Sequence, residues 1–230
     1  MNTVFESNKT YILKVGGIFS IAGGIVFMIA NILHPRADNI DEYVNQINAV
    51  ADSDIWVADH LAFFVGALLI TFGLYIFGRT LTSDKGMLWS RLGEISLVVS
   101  TSLISVLMAI DGMASKSVHD TYAEDTTNQA AFQDSILIEE IDVALFSMFI
   151  ILFFGVTFLL YGLAILSDTE YPRALGLVAI ILSILSLVLG FVQAFNGLSD
   201  LLTGMLFPAV ATFLNIWIIA LGVIMLRRSM

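Results

Sequence analysis

The chain is 230 residues long, 58% hydrophobic and 13% charged, with a mean hydropathy of +0.90. Soluble domains run near half apolar and a quarter charged, so this composition excludes an ordinary water-soluble domain and fits a chain solvated mostly by lipid. The formal charge is −10, and there is no cysteine, which excludes disulfides and thiolate ligands and leaves His and carboxylate for any metal.

The first apolar run, about 11–33, exceeds the roughly 7–15 residues of a signal-peptide core. Ile32-Leu33-His34-Pro35 follows it in place of a small-x-small cleavage site, so it reads as a retained first span. Asn8-Lys9-Thr10 matches a glycosylation sequon, but the orientation derived below sets it in the cytoplasm. Gly16, Ser20 and Gly24, widened by Gly17 and Gly23, form a small-residue surface that lets a helix approach closely, expected to be another span of this chain. In the loop that follows, Ile40, Tyr43, Val44, Ile47, Val50 and Ala51 keep helical spacing. They predict a short amphipathic helix lying apolar face down, with Asn39 as its cap and Glu42 as the capping-box partner.

Five more apolar runs follow, at about 56–78, 88–111, 137–166, 174–196 and 205–226. Each reaches the ~20 residues a membrane-spanning helix needs. None alternates polar and apolar residues as a transmembrane strand must; Phe149 to Phe154 is apolar throughout. The expected fold is all-α: one domain, 1–230, a polytopic membrane bundle of six transmembrane helices. In the third run Ser96, Ser100, Thr101, Ser102 and Ser105 can bond carbonyls of their own helix, and Arg91 can pair with Glu94. The stretch 112–135 is polar without a period and reads as a loop, flexible or ordered against a partner. Asn215 is expected to bond another helix from mid-membrane, for about 1 kcal/mol.

The spans also suggest three related hairpins. Spans 1, 3 and 5 open with a basic residue and glycine (Lys14/Gly16, Arg91/Gly93, Arg173/Gly176), and spans 2, 4 and 6 close on Gly73, Gly162 and Gly222. Such repeats occur in transporters. Unequal spacing between the units weakens this reading.

Charge sets the orientation. With six spans, Lys9, Lys14, Arg79, Lys85, Arg91, Arg173, Arg227 and Arg228 fall on one side, and only Arg36 and Lys116 on the other. Basic residues favour cytoplasmic loops, so the expectation is a multi-pass protein of the cell membrane with both termini cytoplasmic. The outer side collects most of the acids, Asp38, Asp41, Glu42, Asp52 and Asp54 among them.

All three histidines, His34, His60 and His119, also map outside. His34 ends span 1 before Pro35, His60 opens span 2 beside Asp59, and Asp111 ends span 3 at the same depth. Glu139 and Asp142, three apart, share a face at the start of span 4. Ionisable groups at membrane depth are expensive and often functional. Two His and one or two carboxylates suit a divalent transition metal, with His34, His60, Asp59 and Asp111 as candidate ligands. Two His can alternatively hold a haem. Competing readings are plain: Asp59 and Asp142 in first helical turns complement the helix dipole. No His-x-x-x-His or Glu-x-x-His pair reinforces the metal reading.

His34-Pro35 closing span 1, Trp56-x-x-x-His60 opening span 2, Asp111-Gly112 closing span 3 and the basic C-terminus together resemble a broad group of uncharacterised six-span prokaryotic membrane proteins. The resemblance implies topology and brings no activity with it. There is no phosphate-binding loop, dinucleotide fingerprint, nucleophile elbow or basic aromatic patch, which speaks against nucleotide-driven chemistry and nucleic-acid binding. The first expectation is a noncatalytic accessory or scaffold subunit, partnered by the lipid bilayer and by other membrane subunits or its own copies. The alternatives are an outer-face metal-binding protein or metal-dependent membrane enzyme, and a small-solute or cation transporter.

Overall fold

The computed structural model describes residues 2–40 and 42–230, with side chains from residue 9 onward; Asp41, expected among the outer acids, lies outside the described residues. The chain is a bundle of helices, and among the described residues there is no strand. The helices are α1 (Asn2–Leu33), α2 (Tyr43–Ala51), α3 (Trp56–Gly78), α4 (Asp84–Ala109), α5 (Lys116–Glu124), α6 (Gln129–Phe149), α7 (Phe158–Leu166), α8 (Arg173–Asn196) and α9 (Phe207–Arg228). π-helical turns at Ile110–Ser115 and Ile150–Thr157 join α4 to α5 and α6 to α7, and a third, Asp200–Leu206, leads into α9. Six of the resulting rods are long and apolar enough to cross a membrane, as expected: Lys9–Leu33, Trp56–Gly78, Asp84–Glu124, Gln129–Leu166, Arg173–Asn196 and Asp200–Arg228. Hydrocarbon offers the backbone no hydrogen-bond partner, so a spanning segment must satisfy its own N–H and C=O groups.

Each rod packs on the next, and α9 returns against α1, closing a ring. Small residues make the tightest seams. A Cβ added at Gly17 would lie 2.7 Å from the Gly222 carbonyl oxygen, and one at Gly73 would lie 2.4 Å from Ser20 Oγ. The small-residue surface of the first span is thus used within the chain, against α3 and α9. The ring's interior is filled by aromatic side chains. Phe154 contacts Phe27, Phe149 and Phe207 with centroids 5.8, 5.5 and 5.4 Å apart, and Phe158 meets Trp217 at 5.5 Å. The outside carries exposed Ile18, Val65, Ile95, Val98, Ile181, Val188 and Ile216. An apolar belt of that extent belongs in a bilayer.

Two ends result, one basic and one carrying the histidines. At the basic end Asp168 is buried and its carboxylate accepts from the backbone N–H groups of Thr82, Ser83 and Glu170 at 2.8–2.9 Å. This ties the loop before α4 to the loop after α7. Arg228 pairs with Glu170 and lies 4.5 Å over the Tyr171 ring.

Several expectations need correction. The stretch 112–135 is mostly helical: α5 and the first turns of α6 extend the rods past the membrane-sized length and pack on each other. Its apolar positions are sparse because the pair buries polar side chains, His119, Ser115 and Ser135 among them. The amphipathic helix exists as α2, but Glu42 is its N-cap residue and offers no side-chain cap; Asn39 Nδ2 donates to Glu42 Oε1 at 3.2 Å. Glu94 pairs with Arg79 of the neighbouring span, at 2.9 Å, where Arg91 was expected. Ser100, Thr101, Ser102 and Ser105 do bond carbonyls of their own helix, whereas Ser96 reaches Thr157 at 2.8 Å. Asn215 is buried, but its Nδ2 has no partner among the described residues.

If the α1–α9 seam holds the ring closed, Gly17→Val should destabilise the fold by about 1–3 kcal/mol, the usual cost of overpacking. Thermal unfolding in detergent should show a midpoint below that of the wild type. An unchanged midpoint would mean that the seam is looser than the 2.7 Å approach implies.

Candidate metal centre

His34 follows the last turn of α1, and its N–H still bonds Ala30 O at 2.8 Å before Pro35 ends the pattern. Asp59 and His60 occupy the first turn of α3. Antiparallel packing of α1 on α3 brings all three together. One ligating atom from each of His34, Asp59 and His60 lies within 4.8 Å of the others. Asp59 and His60 are buried, and His34 is partly so. Asp111 joins from the π turn after α4, its Oδ2 3.1 Å from His60 Nε2. Three of the four expected residues therefore form one cluster, and Asp111 adjoins it through His60.

The hydrogen bonds define which ring nitrogens carry protons. His60 Nδ1 lies 2.7 Å from the Trp56 carbonyl oxygen, which can only accept, so Nδ1 is the donor. His34 Nδ1 lies 2.8 Å from Asp59 Oδ2, an acceptor when ionised. In each neutral ring the lone pair then sits on Nε2. Metal-binding histidines are commonly fixed in this way, by a carboxylate or a backbone carbonyl on the other nitrogen. Trp56 supports the site twice: its Nε1 donates to the Asp111 carbonyl at 2.8 Å, and its ring packs 4.5 Å from that of His60. Gly112 is required beside it, since an added Cβ would stand 2.5 Å from His60 Cβ. The π turn, a feature common at functional sites, sets Asp111 and Gly112 against His60.

A second polar cluster adjoins the first. His119, fully buried on α5, meets Glu139 Oε1 through Nε2 at 2.7 Å. Ser115 Oγ donates to Asp142 Oδ2 at 3.0 Å. Asp142 Oδ1 and His119 Nδ1 are buried without partners among the described residues. Four carboxylates, Asp59, Asp111, Glu139 and Asp142, thus face three imidazoles. Asp59, Asp111 and Glu139 each have an imidazole partner, and Asp142 has none among the described residues. His119 was recognised in the sequence as lying on this side but not as part of the constellation. The signal for it was Glu139 and Asp142 sharing one helix face, which required a partner opposite.

His34, His60, Asp111, Glu139 and Asp142 line one cavity of about 210 Å³ at the histidine end of the ring. Its floor is the aromatic core, represented by Phe27, Phe149 and Phe154, and α2 roofs it with Ala49 and Val50. Lys116 Nζ donates to Ala51 O at 2.8 Å and fastens the roof to α5. The start of α2 lies beside α6, where burial first, then the Glu140 and Glu139 carboxylates, push the Tyr43 phenol upward.

No protein-family model matches the chain, and no match was found among curated proteins or solved structures.

Gly112→Ala should displace His60 and cost about 1–3 kcal/mol by overpacking. The readouts are a lowered unfolding midpoint and a changed environment of the Trp56 indole in its fluorescence. A variant matching the wild type in both would remove Gly112 from the construction of the site.

Proposed function

We propose that this multi-pass membrane protein binds a divalent transition metal through His34 and His60, with Asp59 and Asp111 as the carboxylates of the site. The observation that carries the reading is the 3.1 Å approach of His60 Nε2 to Asp111 Oδ2. The Trp56 carbonyl takes the proton on Nδ1, so Nε2 is the nitrogen that faces Asp111, and a neutral ring beside an ionised carboxylate would set two lone pairs against each other. A cation must lie between them, a proton or a metal. His34, grouped with His60 and held by Asp59, supplies a further ligand, which a proton does not need and a metal does.

The donor set of nitrogen and oxygen suits zinc, copper, nickel or ferrous iron. The two imidazole rings are only 5.2 Å apart and edge to face, which leaves no slot for a porphyrin plane between them. A bound metal of this class supplies Lewis acidity, polarising a carbonyl or phosphoryl oxygen or lowering the pKa of a bound water. The scaffold reading has less support, because the glycines that advertised helix association are used within the ring.

The positive-inside bias orients the molecule: the end carrying Lys9, Arg79, Arg173 and Arg227 faces the cytoplasm, and the metal centre faces outward across the cell membrane.

Inductively coupled plasma mass spectrometry on protein from native membranes should find close to one transition metal per chain. His60→Ala and His34→Ala should lose it. Asp59→Asn should weaken metal affinity by about 10–100-fold, the usual effect of disturbing a ligand's hydrogen-bonded support. Metal-free wild-type protein that also takes up none of these ions on titration would overturn the assignment.

A further inference from the structure

The cavity beside the histidines adjoins a groove on the outer surface of the bundle. Asn31, Arg36, Gly204 and Pro208 belong both to its wall and to a shallower groove between the end of α1 and the start of α9. Ile32 and Met205 form the outer lips of that groove, and both are exposed apolar side chains on the bilayer-facing surface. The space beside Gly204 is open: an added Cβ would meet only Ile40 Cδ1, at 3.5 Å. Deeper in the membrane the same seam is shut. Asn31 Nδ2 donates to Thr212 Oγ1 at 3.2 Å, and Gly17 and Gly222 press together beyond it.

The two ends of this passage differ in chemistry. The interior is walled by Phe27, Phe63 and Phe207. The mouth carries Arg36, exposed and without an ion pair among the described residues, its guanidinium donating to Asn31 O at 3.1 Å. Pockets that enclose a drug-sized ligand run to about 300–1,000 Å³. A cavity of about 210 Å³ therefore accepts only part of a larger molecule. An amphiphile lodged through a side opening meets that limit, with the rest of it remaining in the bilayer. A guanidinium at the interface is suited to a phosphodiester, which it can bind through two N–H groups. The acidic surroundings, including Asp38 and Asp200, disfavour a lipid of net negative charge.

We propose that this opening admits one acyl chain of a zwitterionic phospholipid from the outer leaflet, with the lipid's phosphodiester held by Arg36. The inference rests on the metal reading for its chemistry, since a chain seated there lies in the cavity that His34 and His60 line.

The test is photocrosslinking in nanodiscs with phosphatidylcholine bearing a diazirine in one acyl chain, adducts being mapped by peptide mass spectrometry. Wild-type protein should carry adducts on the cavity residues Phe63, Met108 or Phe146 as well as on lipid-facing Ile181. Gly204→Trp, which fills the passage, should lower the cavity adducts about tenfold and leave Ile181 labelled. Arg36→Gln should lower them several-fold for phosphatidylcholine but not for the matching diacylglycerol probe. Adducts confined to Ile181 and its like in the wild type would overturn the proposal, as would cavity labelling indifferent to both substitutions. Should Gly204→Trp fail to fold, the wild-type map and Arg36→Gln still decide. Metal content measured on the same samples separates the two readings: cavity labelling without metal would sink the metal centre alone, and metal without cavity labelling would sink the lipid passage alone.

Discussion

Hydrocarbon cannot hydrogen-bond, and the rest of this structure depends on that constraint. It turns each apolar run into a helix that satisfies its own backbone. It also removes the usual hydrophobic drive between those helices, because lipid tails are as apolar as the residues facing them. Close packing then has to hold the ring together, and small residues make it possible where α1 meets α3 and α9. Polar side chains must find partners within the protein or gather at the ends. Here Ser100, Thr101 and Ser105 of α4 turn back to their own carbonyls, Ser96 meets Thr157, and the ionisable groups collect at the two faces.

The two faces use their charges differently. At the basic face, Asp168 spends its carboxylate on backbone N–H groups and ties two loops together. At the histidine face, carboxylates meet imidazoles: His34 with Asp59, His60 with Asp111, His119 with Glu139. Pairing of that kind inside a roofed cavity is more than loop closure needs. Buried ionisable pairs are weak sources of stability, and here three of them are concentrated at one end of the ring.

Irregular backbone occurs where the site is built. The Ile110–Ser115 π turn presents Asp111 and Gly112 to His60, and the Asp200–Leu206 turn leaves the gap at Gly204. The wider turn across Ile150–Thr157 lies among Phe153, Phe154 and Phe158, below the cavity floor. In each case a regular α-helix would have carried the same side chains to another azimuth. The cavity, its floor and its side opening therefore share one structural device.

The sequence by itself determined the fold class, the six spans, the grouping of basic residues at one end, and the meeting of His34, His60, Asp59 and Asp111 at a common depth. These follow from run length, charge and antiparallel connection, all of which are local or one-dimensional. Only the tertiary structure decided which ionisable groups pair. Arg79 rather than Arg91 reaches Glu94, because the partner was set by how α3 lies against α4. His119 joins the site because α5 and α6 fold back on each other, in a stretch whose buried residues are polar and so leave no hydrophobic period to read. The ring's closure by α9 on α1, the cavity it encloses and the opening at Gly204 likewise depend on helix azimuths. Periodicity fixes those only where one face is polar, and lipid-facing and core-facing residues here are alike apolar.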